Sequence, residues 1–118
     1  MIDIKELRIG NLVNLTKGDG CYRPYELDAY DIYKLSENNF EDIEPIPLTE
    51  EILLKCGFKE LEIKPSDGIR ARYKKKNTTL EISNSGYFYS SLTKFDGLHD
   101  LQNKYYYDNC KTELKIEL

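Results

Sequence analysis

The chain has 118 residues, of which 32% are charged and 12% aromatic, with Tyr supplying ten of the fourteen aromatic residues, and its formal net charge is −4. That length suits one domain able to bury about 65% of its unfolded surface without disulfides or metal, and the composition excludes a disordered chain. Charge is uneven: residues 1–56 carry 6 Lys/Arg against 12 Asp/Glu, and residues 57–118 carry 11 against 9, so the first part is acidic and the second mildly basic.

Along the chain, Arg8-Ile9-Gly10-Asn11-Leu12-Val13-Asn14-Leu15 alternates apolar residues after a Gly and predicts an opening strand. Lys17-Gly18-Asp19-Gly20 is a turn. Between Cys21 and Leu35 the Tyr-rich composition predicts two short strands or one bent one, with Pro24 confining its start to a sheet edge. After the turn at Ser36-Glu37-Asn38-Asn39, a further strand runs from Phe40 to Ile46. Short antiparallel strands of this number and length predict a small SH3-like barrel over residues 1–46.

Pro45 and Pro47 keep the next segment extended, and Thr49 then caps a helix over 49–56. Glu50 and Glu51 favour its N-terminal dipole, and Gly57 suits the left-handed position after its end. Residues 60–64, 69–74, 80–82 and 87–89 alternate or turn as an antiparallel meander, with turns at Pro65–Gly68, Lys75–Asn77 and Asn84–Gly86. Asp96 can cap a helix from Gly97 to about Asp108, on which Leu98, Leu101 and Tyr105 recur at helical spacing. Glu113 to Leu118 alternates again and predicts a last strand. The expected fold is α+β in a single domain, 1–118. It comprises an SH3-like β subregion (1–46), a short linking helix, and an antiparallel meander with a packed C-terminal helix (47–118).

Three blocks carry a resemblance: Leu7-Arg8-Ile9-Gly10-Asn11-Leu12-Val13; Pro45-Ile46-Pro47-Leu48-Thr49-Glu50-Glu51-Ile52-Leu53-Leu54-Lys55-Cys56-Gly57-Phe58; and His99-Asp100-Leu101-Gln102-Asn103-Lys104-Tyr105 with Thr112-Glu113-Leu114. In this order the chain resembles a family of small uncharacterised proteins of Bacteroidota, their prophages and their phages. The resemblance implies no reaction. A mobile-element setting favours small binding proteins, including anti-CRISPR-type inhibitors of host defence nucleases.

Two surfaces are candidates for a partner. Tyr25, Glu26, Asp28, Tyr30, Asp31, Tyr33, Glu41 and Asp42 combine Tyr with acids, a composition suited to a protein interface whose partner is basic. Solubilising acids and core Tyr are the competing explanation. Arg70, Arg72, Tyr73, Lys74, Lys75 and Lys76, with Tyr87 nearby, could follow a nucleic-acid backbone and stack bases. Cross-strand pairing of Arg70 and Arg72 with Glu60, Glu62 and Glu81 accounts for the same residues without a ligand.

No catalytic, cofactor-binding or metal-binding residue is assigned. The only His, His99, could pair with Cys56 or Cys110 as base and nucleophile, or join all three Cys as a zinc site, but the spacings of such sites are absent and a packing His explains it better. Cys21, Cys56 and Cys110 are odd in number and far apart, as expected of reduced thiols. No apolar run approaches the roughly 18 residues that span a bilayer, and Met1-Ile2-Asp3-Ile4-Lys5 lacks a signal-peptide core, so a soluble cytoplasmic protein is expected, in the host cell if phage-encoded.

Overall fold

The computed structural model describes residues 7–16, 22–37, 43–90 and 93–116. These form an α+β fold of two antiparallel sheets and three helices. The chain divides into two compact units, Met1–Pro47 with Gly97–Asn103, and Leu48–Asp96 with Lys104–Leu118. Residues 97–103 thus group with the first unit, although they follow the meander in sequence.

In the first unit β1 (Leu12–Thr16) pairs antiparallel with β2 (Tyr22–Glu26) and β3 (Ile43–Glu44), giving the order β2-β1-β3. Pro24 lies in an edge strand, where its missing N–H costs no ladder bond. Val13, Leu15, Leu27 and Ile43 form the core, and Leu7, Tyr25, Ile32 and Leu35 pack against it.

The expected second strand of the Tyr-rich stretch is instead a helix, α1 (Ala29–Ser36). Asp28 and Asp31 form a reciprocal capping box: Asp31 N–H donates to Asp28 Oδ1 at 2.8 Å, and Asp28 N–H donates to Asp31 Oδ2 at 3.0 Å. With those residues helical, the three remaining strands do not close into a barrel. The expected turns at 17–20 and 38–39, and Phe40 of the expected strand, lie outside the described residues.

In the second unit α2 (Glu50–Lys55) begins as expected, with Ile52 N–H donating to Thr49 Oγ1 at 3.1 Å, a cap worth about 1 kcal/mol. It buries Leu53 and ends at Gly57, which has a φ of +90°. Strands β4 (Lys59–Leu61), β5 (Ile69–Lys75), β6 (Thr78–Ser83), β7 (Phe88–Ser90) and β8 (Thr93–Lys94) follow in meander order, with a 3-10 turn at Pro65–Asp67 between β4 and β5. Ala71 opposite Ile82 and Tyr73 opposite Leu80 make the buried face of the central pair.

Helix α3 (Leu98–Asp108) contributes its first residues to the first unit and its last to the second. It starts one residue later than expected, so Gly97 and not Asp96 adjoins it. A Cβ on Gly97 would stand 2.5 Å from Pro45 Cβ and 3.0 Å from Ile46 O, so this position has no room for a side chain. Residues 112–116 form no strand, contrary to the alternation there; only Leu114 is buried.

Candidate partner-binding surfaces

Helix α1 turns Ile32 and Leu35 toward the first unit's core, which leaves Tyr30 and Tyr33, one turn apart, 62% and 58% exposed. Lys34 Nζ lies 5.1 Å from the centre of the Tyr30 ring, within cation–π range. Glu26 precedes this helix and Glu37 follows it, both exposed.

Tyr25, Asp28 and Asp31 of the acidic candidate set are occupied within the fold. Asp28 and Asp31 cap α1. Asp31 is buried, and it also accepts from Tyr25 Oη at 3.2 Å. That bond, with burial and the charges of Asp31 and Asp28, raises the Tyr25 phenol above its ordinary pKa. Of the eight candidate residues, Glu26, Tyr30 and Tyr33 therefore point to solvent without a capping role, while Glu41 and Asp42 lie outside the described residues.

The basic candidates are largely spent on the second unit. The β5–β6 register shifts by one residue between Ile69 and Ala71, as at a bulge. Arg70 reaches Glu50 of α2 at 3.0 Å and not the sheet acids expected to pair with it. Tyr73 is buried, and its hydroxyl donates to the other Glu50 oxygen at 2.8 Å, so its ring is not available to stack on a base. Burial and Glu50 together push the Tyr73 phenol up to about 12.

Arg72 pairs with Glu81 directly across β6 at 2.8 Å, as cross-strand pairing predicts, and stands 4.0 Å from Asp67. Lys75 Nζ donates to Cys56 O at 2.6 Å and lies 5.5 Å from the centre of the Tyr105 ring. Lys74 and Lys76 are exposed; Lys76 sits in the β5–β6 turn with a φ of +51°. Tyr87 is exposed, with Lys94 Nζ 4.1 Å from its ring centre.

Candidate chemistry fares similarly. Cys56 is buried, which pushes its thiol up to about 11 against the opposing pull of Lys75, so little of the nucleophilic thiolate forms at neutral pH. His99 is fully buried; Asp100 Oδ1 lies 3.5 Å from Nε2, yet neither ring nitrogen has a hydrogen-bond partner among the described residues. Among those residues no three His, Cys, Asp or Glu side chains gather as metal ligands. A polar cleft of about 270 Å³ is lined by Asn77, Thr79, Glu81, Ser90, Lys104 and Asp108. Its charges are already matched, Lys104 with Asp108 at 3.0 Å and Glu81 with Arg72.

Parts of the three sequence blocks, 7–13, 45–47 and 99–103, belong to the first unit. Gln102 acts as a strand surrogate, its Oε1 accepting from Leu12 N–H at 2.7 Å and its Nε2 donating to Gly10 O at 3.1 Å. Asn103 Oδ1 accepts from buried Asn11 at 2.8 Å and from Arg8 Nε at 3.1 Å. Leu98 N–H donates to Ile46 O at 2.8 Å, joining the Pro45-Ile46 end of the second block. Hydrogen bonding within the fold thus accounts for Arg8, Asn11, Gln102 and Asn103.

No family model, curated protein or solved structure matches the chain.

Proposed function

We propose that this is a non-enzymatic binding protein of phage or mobile-element origin that acts in the cytoplasm of its host by occluding a protein partner. The observation that carries this reading is the exposed Tyr30–Tyr33 pair on α1, flanked by Glu26 and Glu37. Two large aromatic side chains offered one turn apart, with little side-chain entropy to lose, are the usual anchors of a protein interface. The acidic setting suits a basic groove, and a host defence nuclease, of the kind an anti-CRISPR inhibitor blocks, is the partner class to test first.

The test is capture from host lysate, with and without nuclease treatment, by the parent protein and by a Tyr30→Ser/Tyr33→Ser variant. Reversing Asp28 or Asp31 would unpick the α1 cap, so the charge test uses Glu26→Lys and Glu37→Lys. One dominant protein that survives nuclease treatment and is lost by both variants supports the proposal. Capture unchanged in both variants refutes it. Capture that disappears with nuclease transfers the function to nucleic acid, held by the exposed Lys59, Lys64, Lys74 and Lys76.

A further inference from the structure

The five-stranded sheet of the second unit has β4 at one edge, paired on one side with β5 and on the other with no strand among the described residues. All three of its residues are exposed, and Leu61, at 38%, is an apolar side chain open to solvent. Every second residue of an edge strand directs its N–H and C=O outward, where another strand can pair with them.

Protection of such an edge normally comes from a lysine, a proline, a bulge or a covering segment. Here Lys59 opens the strand, but the next residues are Glu60, Leu61, Glu62 and Ile63, and they line a groove of about 440 Å³. The β4–β5 register sets Glu60 beside Tyr73 and Leu61 beside Arg72, so the carboxylate and the apolar side chain stand on opposite faces of the strand. Neither Glu60 nor Glu62 has an ion pair among the described residues, in contrast to Glu50 and Glu81 of the same unit.

We propose that residues 59–63 receive an extended segment of a partner protein as a sixth strand, antiparallel or parallel to β4, carrying Lys or Arg at alternate positions. Main-chain hydrogen bonds would hold the segment, Glu60 and Glu62 would select its charge, and Leu61 would meet an apolar residue between the basic ones. A second copy of this chain fits less well. The symmetric antiparallel register that places Leu61 on Leu61 also sets Glu60 against Glu62 twice.

The test titrates the full-length protein, at low salt, with a blocked nonapeptide alternating Lys and Val, and with its Glu/Val counterpart. Hydrogen exchange of the amides in 59–63 is expected to slow about tenfold or more with the Lys peptide and to stay unchanged with the Glu peptide. A Glu60→Lys/Glu62→Lys variant, shown folded by circular dichroism, is expected to bind the Lys peptide roughly tenfold more weakly and to gain affinity for the Glu peptide.

Protection outside 59–63, or affinities indifferent to the charge swap, would overturn the proposal. So would a concentration-dependent dimer already protected at 59–63 without peptide, which would give the edge to a second copy. Tyr30 and Tyr33 play no part in these outcomes, so failure here leaves the α1 reading untouched.

Discussion

Replacing Asn109 by Ala tests the polar junction that ties the end of α3 to the β5–β6 hairpin. Asn109 is 7% exposed, and its side-chain amide is fully engaged. Nδ2 donates to Thr78 Oγ1 at 3.1 Å and to Tyr105 O at 2.9 Å, while Oδ1 accepts from Asn77 N–H at 3.0 Å. Three neutral bonds at about 1 kcal/mol net each set a scale of about 3 kcal/mol. Two partners soften the loss: Tyr105 O keeps the Asn109 N–H at 3.0 Å, and buried Thr78 keeps its bond to Asp108 Oδ2 at 3.0 Å. The cavity left by the amide adds to it.

The expected loss is therefore about 2–4 kcal/mol, a large part of the ~5–15 kcal/mol by which a protein of this size is stable. Urea unfolding followed by circular dichroism should show a lower midpoint with an unchanged slope. Asn109→Asp keeps the acceptor for Asn77 but exchanges both donors for a carboxylate beside Tyr105 O and close to Asp108, so it should lose at least as much. Both variants unfolding within about 0.5 kcal/mol of the parent would refute the junction's role.

Tyr73 gives a pH dependence: its phenol is raised from 10 to about 12 in the fold, so its stabilisation is complete below pH 10 and lost as pH rises toward 12. Urea midpoints measured from pH 9 to 12 should fall in the parent and fall less in Tyr73→Phe; equal slopes would contradict the assignment. Among the described cysteines, exposed Cys110 should react with a thiol reagent at pH 7.5 in the native protein, while Cys56 should react only on unfolding, as peptide mapping would show. Labelling of both at equal rates would show that Cys56 is accessible. His99→Leu removes two buried nitrogens that lack partners among the described residues and should raise stability by about 1–2 kcal/mol in a thermal melt, whereas a loss of that size would show that the imidazole is satisfied in solution.

The candidate surfaces were less legible than the fold because charge and aromaticity do not reveal which groups are already engaged. Asp28 and Asp31 read as acids for a partner, yet the spacing Asp28-x-x-Asp31 is also an N-terminal capping pattern, and that use wins because it satisfies two backbone donors that would otherwise lack partners. Tyr30, Ile32 and Tyr33 have the β-prone composition of a strand, and the cap overrides it. Arg70 stands at a register shift and meets Glu50 of a helix 20 residues away in sequence, a partner that strand alternation does not name. Alternation at residues 112–116 had the right period for a strand, but pairing needs a neighbour that local sequence cannot supply.

The sequence by itself determined the features that depend on a few adjacent residues. These are the Thr49 cap and the Gly57 stop of α2, the edge position of Pro24, the alternating faces of β5 and β6 apart from the register shift, and the apolar stripe of α3. Periodicity and capping are local, so they can be read without a partner. Only the tertiary structure decided which Tyr are exposed, which Arg are paired, and why Arg8, Asn11, Gln102 and Asn103 occur together. Their long-range hydrogen bonds join residues 90 to 95 positions apart, and no local pattern encodes which distant amide a buried donor will meet.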